Sequence, residues 1–170
     1  MKQAVGLQLD GMGNKIDTFR LFDLGSLLPG RQLLVNVSIA VISLLSKESE
    51  PEVQVIAQRV LNETQMRVLL PLLAFPTSCP QEVLLASYQC TYEVLLHFFL
   101  APDTSIVATW NTQVQQYRKL LSEAKERGTL RKEMQGVYNA LFSSRQKLEE
   151  LGVTIRPRKD GYYLAPLKHT

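Results

Sequence analysis

Few side chains in this sequence suit covalent or metal chemistry. Cys79 and Cys90 are the only cysteines, and His97 and His169 the only histidines. A cysteine nucleophile built from Cys79 and His97 would need a cleft and an acidic or amide third partner, and the spacing supplies neither. No histidine stands at ligand spacing from a cysteine, so no zinc site is expected. Gly11 and Gly13 fall in a turn that lacks the following helix of a phosphate-cradling loop. No serine sits in a Gly-x-Ser-x-Gly elbow. We therefore expect a protein that is not an enzyme and uses no cofactor. If Cys79 starts a helix and Cys90 ends it, the two stand about 16 Å apart, too far for a disulfide. Free thiols and a cytoplasmic location are expected.

The cations are the more informative groups. The chain has 170 residues with 19 Lys/Arg against 16 Asp/Glu, a formal charge of +3. They are unevenly spread: residues 1–117 hold 7 basic and 10 acidic groups, a net −3, and residues 118–170 hold 12 and 6, a net +6. A cationic third at one end is what a phosphate-binding face requires. A soluble helical tail has the same composition, so the charge acquires meaning only from the fold that carries it. With 45% apolar and 21% charged residues, the chain reads as globular.

The elements that would position these cations follow from periodicity. Ala4–Leu9 and Thr18–Leu24 are short strand candidates around an Asp10–Asn14 turn. Leu33–Leu45 is an apolar run that reads as a buried helix, or as a strand continuing into a helix, and is too short to span a membrane. Pro51 suits the first turn of a helix through Val53, Val55, Ile56 and Val60. Asn62–Gln65 fits a capping box opening a helix to Phe75, in which Pro71 predicts a bend. A further helix starts near Pro80, and the Tyr92–Leu100 run is apolar enough to continue it. Val107, Trp110, Val114, Tyr117, Leu120 and Leu121 form a helical stripe, with Trp110 expected in the core and Gly128 closing the helix.

The last helix spans about residues 131–151. Met134, Val137, Tyr138, Leu141, Phe142, Leu148 and Leu151 form its apolar side. Arg131, Lys132, Gln135, Asn139, Ser143, Ser144 and Lys147 form the other, with Arg145 at the boundary. Val153–Ile155 and Tyr162–Leu164 are β-prone around an Arg156–Gly161 turn, where Asp160-Gly161 signals a hairpin. Strands so short must pack on the helix or on a third strand.

The stretch Val137–Ile155 followed by Gly161–Leu164 resembles the end of the winged-helix output domain of bacterial response regulators. That family closes its recognition helix on Leu-Arg-x-Lys-Leu and its wing on Gly-Tyr-x-Leu. The matching residues are Ser144-Arg145-Gln146-Lys147-Leu148 and Gly161-Tyr162-Tyr163-Leu164. Thr64–Leu70 and Gln81–Leu85 resemble the family's first and second helices. The resemblance covers residues 63–87 and 131–166. It is interrupted by a helical insertion at about 92–128, and residues 1–60 would have to supply the leading strands in place of a phosphoacceptor domain.

The resemblance implies an α+β, mostly helical winged-helix-like domain over residues 61–166, with a C-terminal β-hairpin wing. Residues 1–60 would add strands and a helix packed on its core. It implies double-stranded DNA as partner, with the 131–151 helix in the major groove. Arg131, Lys132, Gln135, Asn139, Arg145 and Lys147 would lie on or near that helix face, and Arg156, Arg158 and Lys159 on the basic wing. Transcription regulation is the function expected. The competing expectation is a non-enzymatic adaptor on the same scaffold, whose stripes at Leu84–Leu100 and Val107–Leu121 meet a protein partner. Dimerisation through the Trp110 helix would suit either.

Overall fold

The computed structural model describes residues 7–9, 15–17, 19–47 and 53–168. Strands β1 (Leu7–Leu9) and β2 (Lys15–Asp17) pair with each other. The rest of the expected Ala4–Leu9 strand, the whole Asp10–Asn14 turn, Thr18 and Pro51 lie outside the described residues. Strands β3 (Phe19–Phe22), β4 (Arg31–Asn36), β5 (Val41–Ser46) and β6 (Gln54–Val60) form an antiparallel sheet in that order.

Two expectations fail in this sheet. The Leu33–Leu45 run is a hairpin, not a helix or a strand leading into one. Its turn is carried by non-glycine residues: Ser38 N–H donates to the Asn36 side chain at 3.0 Å, and Ala40 has φ 55°. The helix expected through Val53–Val60 is strand β6, where β-branched side chains favour the extended backbone. Its bulge against Leu44/Leu45 breaks strict alternation, which is why its apolar spacing resembles a helical one. Phe22, Leu33, Val35, Ile42 and Leu44 join the core.

Helix α1 (Glu63–Ala74) opens with the expected capping box, in which Asn62 and Gln65 satisfy each other's backbone N–H. It continues through Pro71 to Ala74. Strand β7 (Cys79–Pro80) leads into α2 (Gln81–Gln89). The α2 helix ends at Cys90, and α3 (Tyr92–Leu100) starts afresh with Thr91 as its cap. Arg67 of α1 supplies the C-terminal cap of α2 by donating to the Ser87, Tyr88 and Cys90 carbonyls. Helix α4 (Thr104–Arg127) starts on Asp103 and closes on Gly128 at φ 75°, as its position predicts. Trp110 is buried, stacked on Phe98 at 4.5 Å and edge-on to Phe99 at 5.5 Å, so it locks α4 to α3.

Helix α5 (Leu130–Glu149) buries Met134, Val137, Ala140, Leu141, Ser144 and Leu148. Strands β8 (Val153–Arg158) and β9 (Gly161–Pro166) follow as an antiparallel hairpin around Lys159 and Asp160, with Asp160 at φ 65°. Strand β7 pairs with β9, so the hairpin gains the third strand that its shortness demanded. The architecture is therefore α+β and mostly helical, with a C-terminal hairpin and one contiguous core running from β3 to β9. Among the described residues, no helix is long and apolar enough to cross a membrane.

Candidate functional site

The C-terminal unit is assembled by two close backbone approaches. Gly136 of α5 faces Tyr88 of α2, and a Cβ there would come within 2.7 Å of the ring. Gly161 lies against the Cys79 backbone, where a Cβ would overlap the carbonyl. The first approach sets α5 against α2; the second lets β9 lie on β7. Gly161 is also the first residue of the Gly-Tyr-x-Leu resemblance, and this contact gives that glycine a physical reason.

The sheet holds the far end of α5. Lys147 Nζ donates to the Val60 carbonyl and, at 3.1 Å, to Gln65 Oε1. Arg59 of β6 pairs with Glu150, just beyond α5. Glu149 accepts from the Thr154 hydroxyl at 2.6 Å. The hairpin tip is tied by Lys125 of α4, 3.1 Å from Asp160, and Arg158 donates to the Thr77 carbonyl while lying over the Tyr163 ring at 5.4 Å.

These ties sort the candidate residues into two groups. Arg131, Lys132, Gln135 and Asn139 are exposed along one stripe of α5, and Arg156 and Lys159 are exposed on the hairpin. Gln135 Nε2 donates to Asn139 Oδ1 at 3.0 Å across one helical turn. Lys147, by contrast, is half-buried and bonded to the Val60 carbonyl and the Gln65 side chain, and Arg158, though exposed, is tied to the Thr77 carbonyl. Arg145 is half-buried, its Nε has no hydrogen-bond partner among the described residues, and its charge acts on the Tyr162 hydroxyl, whose pKa is nonetheless raised by burial. Gln146, not singled out in the sequence, completes the exposed stripe.

Two side chains depart from the periodicity reading. Ser144, assigned to the polar side, is fully buried. Phe142, assigned to the apolar side, is 66% exposed on the stripe of Gln135, Asn139 and Gln146. The helical angle explains both. Successive residues turn by about 100°, so Leu141 takes the core position and rotates Phe142 out of it. The adjacent Leu141-Phe142 pair was the available signal, since a narrow apolar stripe cannot hold both.

The possible nucleophile and metal groups do not converge. Cys79 is buried, its thiol pushed up to about 12 chiefly by desolvation, and His97 Nε2 lies 3.2 Å from Asp103. Both cysteines are free thiols. Among the described residues, no three His, Cys, Asp or Glu side chains gather as a metal site. The stripes once open to a protein partner are mostly consumed internally: Leu84, Leu85, Leu95, Phe99, Trp110, Val114 and Leu121 are core residues.

The chain matches no family model, no curated protein and no solved structure.

Proposed function

We propose that the chain is a non-enzymatic DNA-binding regulator with a winged-helix architecture. In this reading α5 lies in the major groove and the β8–β9 hairpin lies along the phosphate backbone. The supporting observation is the exposed α5 stripe of Arg131, Lys132, Gln135, Asn139 and Gln146, beside a hairpin exposing Arg156 and Lys159. Amide side chains suit base edges and the flanking cations suit phosphates. Two of the nearby acidic residues are paired with cations, Glu150 with Arg59 and Asp160 with Lys125, and Glu149 accepts from Thr154, while Glu133 stands on α5 beside Lys132. The element order adds support, with a leading sheet, α1 and α2, then α5 and a hairpin, and α3 and α4 as the insertion.

Binding of the purified chain to random duplex DNA tests the reading. With Arg131, Lys132, Arg156 and Lys159 on phosphates, affinity falls about 100-fold between about 50 and about 200 mM salt. A folded protein that binds no duplex at low salt would rule the reading out.

A second reading, an adaptor for a protein partner, is favoured by a different surface. On the β3–β6 sheet Leu21 is 53%, Val55 53% and Val60 65% exposed, and β6 is an unpaired edge among the described strands. Loss of partner capture on substituting these residues, with DNA binding unchanged, would assign the sheet that role.

A further inference from the structure

We propose that Phe142 is a specificity-determining residue of α5: it reads the 5-methyl group of thymine, beside an adenine read jointly by Gln135 and Asn139, so that the chain selects A·T-rich sites. The inference rests on the DNA-binding reading and goes beyond it by naming the bases.

Phe142 is the most exposed large apolar side chain among the described residues. Its neighbours three and four positions away are Tyr138, Asn139, Arg145 and Gln146, and of these only Tyr138 is apolar in its bulk. A single aromatic ring among amides and a cation is not the contiguous apolar patch a protein groove would cover. In the major groove, an apolar side chain meets the thymine methyl, and asparagine or glutamine pairs with adenine N6 and N7.

The amides are arranged for that role. The Gln135–Asn139 hydrogen bond uses one donor and one acceptor. It leaves the Gln135 carbonyl and the Asn139 amine for a base edge that offers one donor and one acceptor, as adenine does. Guanine reading calls for arginine or lysine. The middle of the exposed stripe, from Gln135 to Gln146, holds neither, since Arg145 is half-buried off it and Arg131 and Lys132 stand at the start of the helix.

The test is selection of duplexes from a randomised pool by the full chain, followed by resynthesis of the winning site with deoxyuridine in place of thymidine. We expect A·T-rich winners, and a loss of about fourfold in affinity for each methyl contacted. Phe142→Ala should abolish that thymine–uracil difference and leave the salt dependence unchanged. Asn139→Ala should lower the adenine preference by at least about fivefold. Phe142 and Asn139 are exposed, so both variants keep the core, and circular dichroism verifies it. Salt-dependent binding with equal affinity for thymine and uracil sites, or G·C-rich winners, would overturn the inference alone. Absence of binding to every duplex would overturn both it and the reading beneath it.

Discussion

The β3–β6 sheet and the α5–hairpin unit are both antiparallel or helical surfaces built on one core, yet they present opposite chemistry to solvent. The sheet exposes Leu21, Val55 and Val60. Its β6 strand carries a single cation, Arg59, which is paired with Glu150. The α5–hairpin unit exposes cations and amides around one aromatic ring. Counting charges is therefore insufficient. Lys147 and Arg158 lie in the basic third of the chain but tie elements together, whereas Arg131, Lys132, Arg156 and Lys159 stand exposed on the surface.

The largest expected effect falls on both surfaces together. Leu148 is fully buried in the shared core, so Leu148→Ala should cost about 2–5 kcal/mol in urea unfolding. Separate transitions for sheet and helices would contradict a common core. Gly161→Ala should come next, at about 1–3 kcal/mol, because the new methyl meets the Cys79 backbone and not a flexible side chain. Its damage should fall on the hairpin and on duplex binding; an unchanged hairpin in hydrogen exchange would argue against β7–β9 pairing.

Substitutions of the two kinds of cation separate the surfaces more finely. Arg156→Gln and Lys159→Gln should each weaken duplex binding about eightfold at about 0.1 M salt and reduce the salt slope by about one. Lys147→Met should instead cost about 1 kcal/mol of stability, through the lost bonds to Val60 and Gln65, with the salt slope intact. The smallest effect is expected at Val60→Thr, on an exposed edge, within about 0.5 kcal/mol. A loss of DNA affinity there would extend the interface onto the sheet.

What could be read from the sequence follows the same division. The helices and the C-terminal hairpin were legible because their signals are local: a long helical period in α5, Asp160-Gly161 at the turn, the Asn62–Gln65 capping box of α1 and Gly128 at the end of α4. The sheet was not, because Leu33–Leu45 is apolar apart from Asn36, Ser38 and Ser43 and its turn lacks glycine and proline, with Ala40 taking the left-handed conformation. The β6 strand hid behind a bulge. The two-residue β7 depends on a partner about eighty residues away, a long-range pairing that local pattern does not carry. In the candidate site, the exposed stripe from Arg131 to Asn139 agreed with the helical period, but the outward turn of Phe142 and the internal ties of Lys147 and Arg158 required the packed structure.

Fluorescence anisotropy of the folded chain with random duplex DNA, at about 50 and then about 200 mM salt, measures whether α5 and its hairpin bind DNA. Binding at the lower salt that weakens about 100-fold at the higher is the predicted result. A correctly folded chain that leaves the duplex free at low salt would contradict the assignment of α5 and its hairpin to DNA.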